Sequence, residues 1–191
     1  MSAPAPTRLA ATPGHTIGPF YGYALPFPGD HELVAPTHAG ALRLYGRVTD
    51  GHGDPIPDAL LEIWQADEHG AVSQRPGSLH RDGYTFTGWG RAAADATGYY
   101  SFTTVNPGVS REGVAAFISL VVFARGLLNK LHTRIYLPED DEALAADPLL
   151  GSLPEDRRRT LIASREANGD LRFDLRLQGE DETVFLSYPG A

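Results

Sequence analysis

The chain has 191 residues, with 24 acidic against 16 basic side chains, no cysteine, 21 glycines and 15 prolines. That much Gly and Pro excludes a helical bundle or coiled coil, since both interrupt long helices, while an apolar share of 42% is too high for disorder. Without cysteine there is no disulfide framework, thiolate nucleophile or zinc–thiolate site, and a formal charge of −8 argues against nucleic acid as a partner.

Residues 1–39 read as an extended arm, because Pro4, Pro6, Pro13, Pro19, Pro26, Pro28 and Pro36 come too often for a helix or inner strand. Thr16, Ile17, Phe20, Tyr21, Tyr23, Leu25 and Phe27 nevertheless give it side chains that want burial. The arm either wraps its own domain, packs on a partner chain or lines a site. Its first residues lack an apolar run of signal-peptide length. The most apolar segment, Val114 to Ala124, is far short of the ~20 residues needed to span a bilayer. A cytoplasmic protein with no membrane partner is expected.

From Gly40 the pattern becomes β, and residues 40–191 are expected to form one sandwich domain. Ala41 to Val48 places Leu42, Leu44 and Val48 on one face, with Arg43 and Arg47 opposite. The turn-rich Asp50 to Pro57 leads to a strand at Ala59 to Gln65, and a polar loop follows over Asp67 to Gly83. Further strands are predicted at Tyr84 to Trp89, Tyr99 to Val105, Val114 to Ala124 and Leu131 to Leu137. Residues 140–163 form a helical insertion, with candidates at Glu142 to Ala146 and Pro154 to Ala163. Leu171 to Gln178 alternates strictly and reads as one strand, with a short last strand at Thr183 to Leu186. Regular strands separated by turn signals indicate an all-β sandwich.

Composition and spacing leave little chemistry complete within the chain. No two of the seven histidines lie within four residues of each other, so neither a strand nor a helix aims a local pair at one metal ion. Ser78, His80 and Asp82 alternate, but such neighbours sit roughly 6.7 Å apart in an extended chain, too far for a relay. No glycine-rich phosphate loop leads into a helix, and the carboxylates of Asp140-Asp141 and Glu180-Asp181-Glu182 sit in solvated loops. Arg125, at the end of the most apolar segment, must snorkel, pair, or face a cleft that binds anions.

Several phrases together resemble the intradiol ring-cleavage dioxygenases. They are Gly46-Arg47-Val48 through Asp50-Gly51, Pro57-Asp58-Ala59, Glu62-Ile63-Trp64-Gln65-Ala66-Asp67, Gly88 to Arg91, Thr97 to Phe102 and Asn106-Pro107-Gly108. Thr12 to Phe20, Phe123 to Gly126, Leu131 to Tyr136 and Arg172 to Glu180 are similar to the α chain of the family's two-chain members. The resemblance implies a prealbumin-like β-sandwich and the opening of catechol rings by dioxygen at a non-haem ferric ion. It also implies a large hetero-oligomer whose β chain carries the iron. The family binds that ion through two Tyr and two His; the matching positions here hold Val72, Ser110, Phe117 and Ser119. None is a ferric ligand of the required kind, so Fe(3+) is expected on the partner β chain and no catalytic residue on this one. By position, Thr16, Phe20 and Arg125 are expected to line the cavity for a small aromatic substrate. Phe20 stands where the family often has Tyr, and the adjacent Tyr21 points differently. A non-catalytic binding module, or a subunit acting on another substituted catechol, are the alternatives.

Overall fold

The computed structural model describes residues 15–74, 81–82 and 84–188. The first fourteen residues of the arm, together with Ser78 and His80, lie outside the described residues. After one helical turn, α1 (Tyr21–Ala24), the chain enters β1 (Leu42–Thr49) and β2 (Leu60–Gln65). It continues through β3 (Trp89–Ala93), β4 (Tyr99–Thr104), β5 (Phe117–Phe123) and β6 (Leu131–Tyr136). The insertion contributes α2 (Asp141–Ala146), α3 (Pro148–Gly151), α4 (Glu155–Arg158) and a 3₁₀ turn at Arg159–Leu161. Three two-residue strands follow: β7 (Ser164–Arg165), β8 (Leu171–Arg172) and β9 (Leu175–Arg176).

Two sheets result, and the chain is an all-β sandwich. One runs β4-β1-β8-β7 with β9 also on β1; the other runs β3-β2-β5-β6, all antiparallel. Alternation fills the space between them. Leu44 and Val48 of β1, Tyr100 and Phe102 of β4, Leu61 and Ile63 of β2 and Ile118, Leu120 and Val122 of β5 form one buried cluster. Each such aliphatic side chain contributes about 1.5–3 kcal/mol on burial. One polar bridge crosses the core: the Thr104 hydroxyl donates to Gln65 Oε1 at 2.7 Å, and Gln65 Nε2 donates to the Val105 carbonyl at 2.9 Å.

Three local readings change. The strand expected at Tyr84 to Trp89 starts only at Trp89, because Asp82 accepts the Tyr84 and Thr85 amides and the Thr85 hydroxyl, curling the segment into a loop. Leu171 to Gln178 keeps its buried alternation but divides into β8 and β9. Between them the Phe173 carbonyl turns inward, where it accepts the buried Tyr100 hydroxyl at 2.6 Å. It lies so close to Gly46 that any Cβ there would overlap it. Thr183 to Leu186 forms a single bridge, Leu186 to His132, rather than a strand.

The insertion covers the outer face of the second sheet at its β6 side. Leu144, Leu150 and Leu161 pack there against Tyr136 and Ala115. Asp147 organises the contact. Its Oδ1 accepts the Leu149 and Leu150 amides, capping α3, and the Tyr136 hydroxyl at 3.1 Å; its Oδ2 accepts the Ala115 amide.

Candidate functional site

The other half of that outer face lies under the arm. Arg91 of β3 grips Glu62 through Nε and Nη2 at 2.9 and 2.6 Å and donates Nη1 to the Leu25 carbonyl at 2.6 Å. Arg81 donates to the carbonyls of Gly29, Asp30 and Trp89, while Phe27 stacks on Trp89 with ring planes 8° apart. The Gly88-Trp89-Gly90-Arg91 phrase thereby acts as the arm's anchor. Gly88 has φ of +72°, and at Gly90 a Cβ would press into Leu33.

At the end of β5 the arm meets the turn after the apolar strand. The Ile17 amide donates to the Leu127 carbonyl at 2.7 Å, and the Thr16 hydroxyl reaches the same oxygen at 3.4 Å. Tyr21 packs on Phe123 and donates its hydroxyl to the Asp58 carbonyl at 2.6 Å. Burial, followed by the negative charge of Asp58, pushes the Tyr21 phenol up to about 12. Arg125 places Nε 3.5 Å from Asp58 Oδ2 while its side chain stays 67% exposed. A cleft of about 250 Å³ opens between arm and sheet, lined by Pro19, Gly22, Tyr23, Asp58, Ala94 and Arg125. Phe20, just before α1, is 79% exposed. The arm contacts at Leu127 and α1 thus bring Thr16, Phe20 and Arg125 to one end of the sandwich. Of the three roles open to Arg125, the structure shows pairing, with Asp58, while the guanidinium also borders the cleft. Asp58 and Tyr21 carry no local sign of this association, because their partners are distant in the chain.

The four positions matching the family's iron ligands have a different character. Phe117 and Ser119 lie on the outer face of β5, Ser119 between Trp64 of β2 and Arg134 of β6. The Arg134 guanidinium sits 4.1 Å above the Phe117 ring and donates to the Tyr136 hydroxyl at 3.1 Å. Burial pushes that phenol up to about 12 as well. Val72 and Ser110 are exposed on two loops whose backbones meet where Gly70 touches the Val109 carbonyl. A hydrocarbon, two hydroxyls and an aromatic ring under a guanidinium offer neither phenolate nor imidazole, so these residues do not fit a ferric ion. Among the described residues, no three of His, Asp and Glu form a group able to hold a metal ion, and no helix is long and apolar enough to cross a membrane.

Comparison with known proteins gives this geometry its context. A family model described as Dioxygenase matches residues 28–179. The chain is 36% identical to the protocatechuate 3,4-dioxygenase alpha chain of Burkholderia cepacia, across 94% of this chain and 98% of that one. It is 31% identical to the beta chain from the same organism, across 86% of this chain and 78% of that one. The solved dioxygenase domain of a carbohydrate-binding fusion protein from Streptomyces sp. SirexAA-E aligns with a TM-score of 0.59 at 25% identity, covering 78% of this chain and 87% of that one. Through its sequence over nearly the whole length, and through its fold, this chain belongs to the intradiol ring-cleavage dioxygenase family.

Proposed function

We propose that this chain is the α subunit of a protocatechuate 3,4-dioxygenase, working in a hetero-oligomer with an iron-carrying β chain. The observation that carries the reading is the near full-length match to an α chain, together with four ligand positions that hold Val72, Ser110, Phe117 and Ser119. The assembly would cleave 3,4-dihydroxybenzoate between its hydroxylated carbons, inserting both atoms of dioxygen to give 3-carboxy-cis,cis-muconate. Fe(3+) and its ligands belong to the protocatechuate 3,4-dioxygenase β chain in this reading, and the enzyme would act in the cytoplasm.

This chain's share is shape and charge. The substrate carries a carboxylate, which the chain's net charge of −8 repels. Arg125 offsets that repulsion locally with its guanidinium cation. In the complex, Thr16 and Phe20 are proposed to complete the arm side of the substrate cavity. The test is co-expression with the β chain, followed by iron analysis and a protocatechuate assay. The complex should bind iron and consume dioxygen, whereas the chain alone should be colourless and inactive. An iron-loaded, coloured lone chain would overturn the reading. Arg125→Ala should weaken substrate binding in the complex while iron content stays unchanged.

A further inference from the structure

The geometry points to Asp58 as a positioning residue that holds Arg125 in the orientation needed to receive the substrate's carboxylate, an inference that rests on the function proposed above. A guanidinium has two edges on which a carboxylate can dock, one including Nε and one formed by the two terminal nitrogens. Asp58 Oδ2 stands 3.5 Å from Nε. Among the described residues no other acidic side chain pairs with the Arg125 guanidinium, which stays 67% exposed beside the cleft.

The carboxylate of Asp58 is set up for this one contact. Its Oδ2 is enclosed and accepts no hydrogen bond among the described residues, leaving the guanidinium as its only counter-charge. An enclosed anionic oxygen without a donor is costly, so the carboxylate gains most by keeping Arg125 beside it. The backbone at Asp58 is held independently. Tyr21 donates its hydroxyl to the Asp58 carbonyl, and Ala59 accepts the Ala94 amide at 2.8 Å. The Asp58 side chain can therefore change while the surrounding turn stays in place. Arg125 itself precedes Gly126, which has φ of +96°, at the end of a long flexible side chain. Without its anchor that side chain must be ordered anew each time substrate binds.

The test uses the complex with the β chain and compares 3,4-dihydroxybenzoate with catechol, which lacks the carboxylate. The variants are Asp58→Asn, Arg125→Ala and the double substitution. Dissociation constants come from calorimetry without dioxygen, and kcat and KM from oxygen uptake. Asp58→Asn should raise Kd and KM for 3,4-dihydroxybenzoate by roughly three- to tenfold, with kcat nearly unchanged and catechol unaffected. Added to Arg125→Ala, it should cause no further loss. Equal shifts for both substrates, no shift, or additive losses in the double variant overturn the inference. So does tighter binding of 3,4-dihydroxybenzoate, because it would mean that Asp58 restrains Arg125 or repels the substrate. If Arg125→Ala is selective for the carboxylated substrate while Asp58→Asn is silent, only the positioning role falls. If Arg125→Ala is itself not selective, the substrate-binding role of Arg125 falls and the positioning role with it.

Discussion

Replacing Asp147 with alanine tests how the helical insertion is held on the sheet. The substitution removes the cap of α3, normally worth about 1 kcal/mol. It also deprives two buried groups of their acceptor: the Ala115 amide at 3.1 Å and the Tyr136 hydroxyl at 3.1 Å. Each buried donor left without a partner costs about 1–3 kcal/mol, so with the cap local stability should fall by about 3–7 kcal/mol in all. Water has little access to replace the lost acceptor, because Asp147 is 1% and Tyr136 0% exposed. Hydrogen–deuterium exchange on the complex proposed above reads this directly. The informative amides are Ser152, Leu153 and Ala163, whose acceptors are backbone carbonyls that the substitution does not remove. Their protection should drop by roughly two to five decades, while amides of β2 and β5 change far less. Asp147→Asn keeps one acceptor oxygen and should fall between wild type and alanine. A loss of less than tenfold in Asp147→Ala would refute the argument that this carboxylate fastens the insertion.

Other expectations concern packing and pH. Gly46→Ala forces a methyl into the Phe173 carbonyl and should lower the melting temperature of the proposed complex by several degrees, consistent with at least ~1 kcal/mol. Leu120→Ala, at a fully buried position between the sheets, should cost about 2–5 kcal/mol in urea unfolding. Alkaline solution should also destabilise the chain. The Tyr136 phenol stays protonated in the fold up to about 12, whereas in the unfolded chain it ionises near 10.0. Below pH 10 both states hold the proton and stability is full; between pH 10 and 12 the unfolded state loses it first. The fold should lose up to ~2–3 kcal/mol over that window, and Tyr136→Phe should flatten the corresponding part of a stability–pH curve.

Strands were legible from sequence where alternation (β1), a continuous apolar run (β5) or flanking turn signals (β2, β4, β6) marked them, and all five fall within a few residues of their observed places. Elements set by a single side chain were not. β3 moved because Asp82 gathers three donors, and α3 was missed because its start depends on Asp147, whose other partners lie on β6 and before β5. The split between β8 and β9 depends on a hydroxyl from β4 and leaves the alternating pattern intact. At the site, the position of Arg125 after an apolar strand signalled that it needed a partner, but the choice of Asp58 is made by tertiary folding alone. Local periodicity carries information about burial; it carries none about which distant turn supplies a counter-ion.

Strand β1 has consequences for the chain during synthesis. It is paired on one side by β4 and on the other by β8 and β9, which join it in parallel from residues 171–176. Until the ribosome has made and released that late segment, one whole edge of β1 offers free amides and carbonyls to any passing strand. Leu44, Val48, Tyr100 and Phe102 must also wait for Leu171, Phe173 and Leu175 to close over them. The sandwich therefore completes itself only after most of the polypeptide has emerged, and slow translation or truncation before residue 171 should favour aggregation of nascent chains.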